Sequence, residues 1–284
     1  MLVPPSFRKS VAFLFAGDRV IGTAWNIYVP ATEDPSEGGG VFLATAGHVI
    51  DMGSGVGDDL TVRFNTKDGE SIFVPSEWED WKVSDDADVA VAPSGYDEAL
   101  GLDIYPIPID RLISDSRKIE LEVAEGDEAF FVGLFVPLKG ADRNLPVARF
   151  GHVALMPQPG DPVELETLDK MTGQSFSRTA PAYLVEVYSR GGHSGSPAFL
   201  YLPVERHPGR MTGLAAPQGP VGIAGVLGIV SGHFDDDEVI APSGGKVNSG
   251  IAVVTPAQHI IDIITGEERF VRMMDRLRKQ VEPA

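Results

Sequence analysis

Residues 192–197 read Gly192-His193-Ser194-Gly195-Ser196-Pro197, with a serine between two glycines just before a strand-like run. Glycine adopts backbone conformations that other residues resist, and it leaves neighbouring backbone N–H groups uncovered. Grouped N–H donors of this kind suit an oxyanion hole, because acyl transfer places negative charge on the substrate oxygen. The pattern therefore favours Ser194 as a nucleophile, with a glycine-rich turn of no catalytic role as the alternative.

Two earlier segments each present one titratable side chain beside an apolar run. The segment Leu43–His48 delivers a histidine to the tip of a predicted strand, where an imidazole can accept and return a proton near neutral pH. Asp88 opens the apolar run Val89–Val91, where a carboxylate is costly unless it is hydrogen-bonded, and an imidazole would be a suitable partner. Taken alone, each has a structural explanation: a histidine at a strand end, and a turn of solvated carboxylates.

The order of His48, Asp88 and Ser194, together with the residues around them, resembles the chymotrypsin-like (trypsin-fold) serine peptidases. The likeness covers most of residues 7–280. The matching segments are Thr45–His48 to Thr-Ala-[Ala/Gly]-His, Asp88–Val91 to Asp-[Ile/Val]-Ala-[Val/Leu], Gly192–Pro197 to Gly-Asp-Ser-Gly-Gly-Pro, Leu227–Gly232 to the substrate-pairing strand, and Gly250–Val253 to the last strand.

The resemblance implies an all-β fold of two six-stranded antiparallel β-barrels followed by a C-terminal α-helix, and it implies serine endopeptidase activity. In the mechanism carried over from the family, Ser194 would be the nucleophile and His48 the general base and then the general acid. Asp88 would hold the imidazole tautomer, and the N–H groups of Gly192 and Ser194 would bind the oxyanion.

Two departures from the family pattern bear on activation and specificity. His193 stands where digestive members have an aspartate that pairs with a newly cut N-terminus, and the chain lacks an apolar Ile-Val-Gly-Gly start. We therefore expect activity without N-terminal processing, as in bacterial and viral members, and an oxyanion loop held in some other way.

The specificity pocket is predicted from the same resemblance. Tyr188, six residues before Ser194, would lie at its base, so cleavage after a neutral side chain is expected. Tyr188 and His233 are equally compatible with core and rim positions, and a protonated His233 could instead admit an acidic side chain. The pocket residues predicted are Tyr188, Ser231, Gly232, His233 and Gly250.

Short strand-like runs dominate a chain that holds 32 glycines and 22 prolines among 284 residues. We predict a first barrel over residues 7–110 carrying His48 and Asp88, a connection over 111–124, a second barrel over 125–255 carrying Ser194, and a helix over 256–280. Thr255-Pro256 is interpreted as the helix start. The helix is expected to pack on the second barrel, with a partner-binding or oligomerising helix as the alternative.

Composition excludes several classes of protein. A net charge of −18 repels phosphate backbones, so nucleic acid is not an expected partner. Zero cysteines exclude disulfides, thiolate metal sites and a cysteine nucleophile, and no short-spaced histidine pair predicts a metal, so no cofactor is expected. The longest apolar stretches fall short of the ~20 residues of a membrane span, and membrane association is not expected.

The remaining expectations concern location, partners and alternatives. Arg8 and Lys9 precede only six apolar residues before Gly17-Asp18, which indicates a β-hairpin rather than a signal peptide, and cytoplasmic location is favoured over secretion. The expected partner is a protein or peptide substrate, and an activating protein is also compatible with the sequence. The alternative function is a catalytically silent or partner-triggered binding or effector module on a peptidase fold.

Overall fold

The computed structural model describes residues 3–55, 57–94, 97–157, 163–168, 175–188, 192–203, 222–240 and 246–281. The strands of these residues form an eight-stranded sheet, a closed six-stranded barrel and a separate two-stranded hairpin. Their bounds are β1 (Val11–Ala16), β2 (Arg19–Pro30), β3 (Gly39–Thr45), β4 (Leu60–Asn65), β5 (Ser71–Ser76), β6 (Lys82–Val83), β7 (Ala90–Pro93), β8 (Ile107–Pro108), β9 (Glu128–Gly133), β10 (Val147–Leu155), β11 (Val163–Leu168), β12 (Ser175–Ala180), β13 (Tyr183–Glu186), β14 (Pro197–Leu202), β15 (Gly222–Ile240) and β16 (Lys246–Pro256).

The first unit is the eight-stranded sheet, in the order β5-β4-β1-β2-β3-β7-β6, with β8 paired in parallel to β2. Every residue of β1 is buried, as its unbroken apolar sequence requires. The predicted hairpin between β1 and β2 is present: Ala16 pairs with Arg19, and Gly17 has a φ of 55°, a conformation that suits glycine. The pairing of β3 with β7 places the C-terminal end of β3, which His48 follows, beside the N-terminal end of β7, which Asp88 precedes.

The second unit is the closed barrel, in the order β10-β13-β16-β15-β14-β9. Its interior holds apolar side chains from all six strands, including Phe131, Val153, Leu200, Leu227 and Val254. Strand β14 follows directly from the Ser194 turn and pairs with β15 and β9. Because β14 is hydrogen-bonded to a strand on each side, the position of the Ser194 turn at its N-terminal end is well defined.

The described residues also form five α-helices: α1 (Pro5–Lys9), α2 (Gly47–Ser54), α3 (Asp115–Glu120), α4 (Gln258–Gly266) and α5 (Glu268–Val281). The last of these packs on the first unit, contrary to the expectation of packing on the second barrel. The Phe270 ring contacts Phe42 at 5.3 Å between centroids, and a Cβ on Gly40 would lie 2.9 Å from the Met274 sulfur. None of the helices described here is long and apolar enough to cross a membrane.

The predicted fold class is confirmed as all-β, with a closed six-stranded barrel, a second sheet and helices at the C-terminal end. The structure differs in two details. The first unit has eight strands rather than six, because β6 and β8 are two residues long and too short to show a period of two. The predicted helix over 256–280 is two helices that meet at Glu267. The first begins at Gln258 rather than at the predicted Thr255-Pro256, because these two residues continue β16 by pairing with Ile229 and Gly228.

A buried arginine joins the two units. Arg63 of β4 is 3% exposed, and its guanidinium reaches the segment between β9 and β10. Its Nε donates to Asn144 Oδ1 at 2.6 Å, and its Nη2 donates to the Lys139 carbonyl at 2.6 Å. The Asn144 amide donates back to the Arg63 carbonyl at 2.6 Å. Arg63 therefore holds the 139–144 segment of the second unit against the first sheet.

Arg63→Met should lower the free energy of unfolding by roughly 2–4 kcal/mol, because it removes charge-assisted hydrogen bonds and leaves buried carbonyls unpaired without a large change in side-chain length. Urea denaturation of the full chain measures the change. Arg276→Met is the matched control, since Arg276 is exposed and the change there should stay within about 0.5 kcal/mol. Equal effects of the two substitutions would contradict the role given to Arg63.

Candidate active site

His48 and Asp88 meet at the ends of two paired strands. His48 lies in the first turn of α2, directly after β3, and Asp88 lies just before β7. The register places Thr45 opposite Ala90, so the two side chains emerge side by side. His48 Nδ1 lies 2.7 Å from Asp88 Oδ2, and the His48 backbone N–H donates to Asp88 Oδ1 at 2.8 Å. Both carboxylate oxygens of Asp88 therefore contact the same residue.

This contact sets the chemistry of the imidazole. Asp88 is 7% exposed, and the His48 side chain is 33% exposed. A carboxylate that accepts the Nδ1 proton leaves Nε2 as the lone-pair nitrogen of the neutral ring. Gly47 leaves room for this approach, since a Cβ there would make a tight contact of 3.1 Å with Asp88 Oδ1. The pair thus presents a proton acceptor at a partly open face of the first unit.

The Ser194 turn has the backbone that its glycines predict. Gly192 and Gly195 have φ values of 99° and 88°, in the region where L side chains are strained. The turn lies against the first unit, since a Cβ on Gly195 would lie 2.3 Å from the Thr45 hydroxyl. Thr45 is three residues before His48 in the chain. The serine turn and the histidine–aspartate pair therefore share one region at the junction of the two units.

The hydrogen bonds of the turn leave its central donors open. Gly195 N donates to Val230 O at 2.8 Å, and Ser196 N donates to His193 O at 2.9 Å. Within the part of the chain that the structure describes, the N–H groups of Gly192 and Ser194 donate to no protein acceptor. Between these described residues, no hydrogen bond joins the Ser194 hydroxyl to the His48 ring. Catalytic hydrogen bonds of this kind are often long in substrate-free sites and tighten on binding.

His193 is buried beside the serine, at 1% exposure. Its ring packs edge-on against Phe131, with 5.1 Å between centroids, and lies over Phe135 at 6.4 Å. Both phenylalanines belong to β9 or the residues that follow it. The His193 side chain is therefore held among aromatic rings of the second unit.

Similarity to known proteins is found at the level of the fold. Models of protein families gave no match, and a search of curated proteins gave none. Among solved structures, Deg5 matches with a TM-score of 0.50 and 14% identity over 92% of this chain and 91% of that one. Kallikrein-related peptidase 10 matches with a TM-score of 0.51 and 12% identity over 94% and 99%.

The chain has the chymotrypsin-like serine protease fold. The predicted resemblance is confirmed at this level. At 12–14% identity the likeness shows the fold alone, so the roles of individual residues rest on the geometry of this chain.

In this chymotrypsin-like fold the predicted pocket residues lie on three adjacent barrel strands or directly after them. Val187 N donates to Gly250 O at 2.6 Å, and His233 pairs with Ala252. Gly250 has a φ of 86° and nothing within 4 Å of a Cβ position. Tyr188 is 45% exposed, more than the base of a closed pocket would be, which favours the rim position. Residues 189–191, which follow Tyr188, lie outside the described residues.

The remaining pocket residues also lie near the surface. Ser231 and Gly232 are partly exposed, and His233 is exposed. The Ser231 hydroxyl donates to Val253 O at 3.4 Å, a long contact across the β15–β16 pair. These described positions lie on an open face beside the serine turn.

One carboxylate near the pair was missed at the level of sequence. Asp51 follows His48 by three residues in α2, so it lies on the same side of the helix. Burial is the largest cause that raises the pKa of Asp51. The Asp88 carboxylate raises this pKa further, and His48 lowers it. The helical spacing from His48 was the signal that would have identified it. Asp51 adds a second negative group to the surroundings of the imidazole.

The tautomer of His48 tests the geometry directly. In the neutral ring, Nδ1 should carry the proton because Asp88 accepts it, and Asp88→Asn should shift the population toward the Nε2 tautomer. Two-bond ¹H–¹⁵N correlation spectra of the neutral ring distinguish the two tautomers. Asp86→Asn, an exposed change in the same turn, should leave the tautomer unaltered. A parent spectrum with Nε2 protonated would show that the contact is not as described.

Proposed function

We propose that this protein is a serine endopeptidase that acts through Ser194, His48 and Asp88. The observation that carries the proposal is the two-point contact between Asp88 and His48, at 2.7 and 2.8 Å. It fixes both the backbone position and the ring orientation of the histidine, while a third of its side chain stays open. A histidine with only a structural role needs neither the second contact nor the open face.

The chemistry follows from these positions. The Ser194 hydroxyl oxygen attacks the peptide carbonyl carbon, and its proton passes to His48 Nε2. The charge that develops on the carbonyl oxygen is met by the N–H groups of Gly192 and Ser194, which donate to no other acceptor among the described residues. The imidazolium, stabilised by Asp88, then gives its proton to the leaving amine. Water hydrolyses the acyl-enzyme by the reverse sequence of proton transfers.

We propose further that no N-terminal processing is needed. In digestive members of the family a new N-terminus pairs with an aspartate beside the serine. Here the corresponding His193 is buried against Phe131 and Phe135, where an incoming ammonium group would meet aromatic rings rather than a carboxylate. None of the described pocket residues, Tyr188, Ser231, Gly232, His233 and Gly250, is acidic, and the substrates proposed are peptides cleaved after a neutral side chain.

The second candidate is a catalytically silent or partner-triggered module on the same fold. It is favoured by one observation: the described Ser194 hydroxyl makes no hydrogen bond to His48. A module of this kind would hold its serine in an unreactive position until a partner moved it. The two candidates differ in whether the isolated chain reacts with an activated phosphonate.

A fluorophosphonate probe should label the unprocessed chain, with Met1 in place, at Ser194. Ser194→Ala should abolish labelling and lower peptide cleavage by at least about 10³-fold, because the family's mechanism loses its nucleophile. Ser196→Ala is the matched control in the same motif, since the buried Ser196 hydroxyl has no hydrogen-bond partner among the described residues and its loss should leave labelling intact.

Mass spectrometry of the labelled peptides identifies the modified serine. Labelling that appears only after N-terminal cleavage would overturn the proposal of activity without processing. A chain that is unlabelled and inactive in both forms would overturn the peptidase proposal itself.

A further inference from the structure

Thr23 of β2 belongs to the first unit, yet its hydrogen bonds reach the serine turn of the second. The residue is fully buried, at 0% exposure. Its hydroxyl donates to Gly192 O at 2.9 Å and accepts from Leu134 N at 2.9 Å. Its backbone N–H donates to Ser194 O at 3.0 Å. Thr23 therefore contacts the turn on both sides of the serine.

These two contacts act on consecutive parts of the backbone. The carbonyl of Gly192 belongs to the peptide that joins residues 192 and 193, and the carbonyl of Ser194 belongs to the peptide that joins 194 and 195. Because each peptide is planar, fixing its carbonyl fixes the whole unit. The peptide between them carries the Ser194 N–H. Its orientation is thus limited by Thr23 from both ends.

The turn needs an external restraint because its glycines supply none. Gly192, at φ 99°, and Gly195, at φ 88°, sample backbone conformations more widely than other residues. Thr23 is itself held, since the Thr45 hydroxyl donates to its carbonyl at 2.7 Å. Leu134, which the Thr23 hydroxyl also contacts, lies 3.1 Å from a Cβ position on Gly192. The Thr23 hydroxyl thus bonds both to the Gly192 carbonyl and to the backbone of Leu134, whose side chain lies close to Gly192.

We infer that Thr23 is a positioning residue that holds the Ser194 turn in the form whose Ser194 N–H group faces the substrate oxygen. The inference rests on the proposed function, and it names the group that replaces the family's ion pair as the polar restraint on this turn. Thr23 acts through the turn and does not itself contact substrate.

Thr23→Val removes the hydroxyl and keeps the shape of the side chain. The expected result is a fall in kcat of about 10- to 100-fold, somewhat less than the loss of one oxyanion donor, with KM within about two-fold. Thr23→Ser keeps the hydroxyl and should retain kcat within about three-fold. Thr66→Val is the matched control, because Thr66 is also buried and its hydroxyl donates to Asp68, away from the serine turn. It should leave kcat unchanged.

A second measurement does not depend on turnover. Hydrogen exchange of the full chain reports the amides of Gly195 and Ser196, whose hydrogen bonds to Val230 and His193 hold the turn. Their exchange should be faster in Thr23→Val than in the parent, Thr23→Ser or Thr66→Val. If Thr23→Val does not fold, Thr23→Cys replaces it in both measurements, because its side chain is of similar size and its thiol is only a weak donor.

The inference is overturned if the valine variant keeps both parental kcat and parental exchange. It is also overturned if Thr23→Ser falls as far as Thr23→Val, which would assign the effect to the methyl group, or if Thr66→Val has the same effect. If the parent itself neither labels nor cleaves, the proposed function fails, and exchange alone decides whether Thr23 restrains the turn.

Discussion

Hydrogen bonds across the junction of the two β units determine where the candidate site forms. The histidine and aspartate come from one unit and the serine from the other, so their relative position depends on contacts that neither unit makes alone. Two such contacts come from the first sheet: Thr23 bonds to the serine turn, and Arg63 holds the 139–144 segment. Thr45 supports Thr23 from within the sheet. These contacts are short, buried and polar, and a polar group buried without a partner is costly. That cost favours one arrangement of the junction over others.

Charge acts on the site at two ranges. Close to the imidazole, Asp88 contacts the ring directly, and Asp51 is a second carboxylate one helical turn away. At longer range, the net charge of −18 attracts basic peptides, yet salt screens this attraction beyond about 8 Å. In the proposed function, the overall charge would affect encounter with substrate and leave pocket selectivity to nearby side chains.

The sequence predicted the fold class and the candidate residues His48, Asp88 and Ser194, because both predictions depend on short local motifs. The two glycines around Ser194 predicted a turn that their φ values now show, and Asp88 was expected to need a partner that His48 provides. The junction was not predictable in the same way. Arg63 and Asn144, or Thr23 and Gly192, are far apart in sequence, and no period or propensity links them. The packing of α5 on the first unit was missed for the same reason, since it depends on tertiary contacts.

The central claim is that the two units together present a serine, an oriented imidazole and two backbone donors to one substrate carbonyl. A crystal structure of the chain after reaction with a peptidyl phosphonate tests it most directly. The account predicts a covalent bond from the Ser194 hydroxyl oxygen to phosphorus, with the phosphoryl oxygen about 3 Å from the nitrogens of Gly192 and Ser194. It also predicts that His48 remains hydrogen-bonded to Asp88. An adduct on another residue, or a phosphoryl oxygen directed away from both nitrogens, would contradict it.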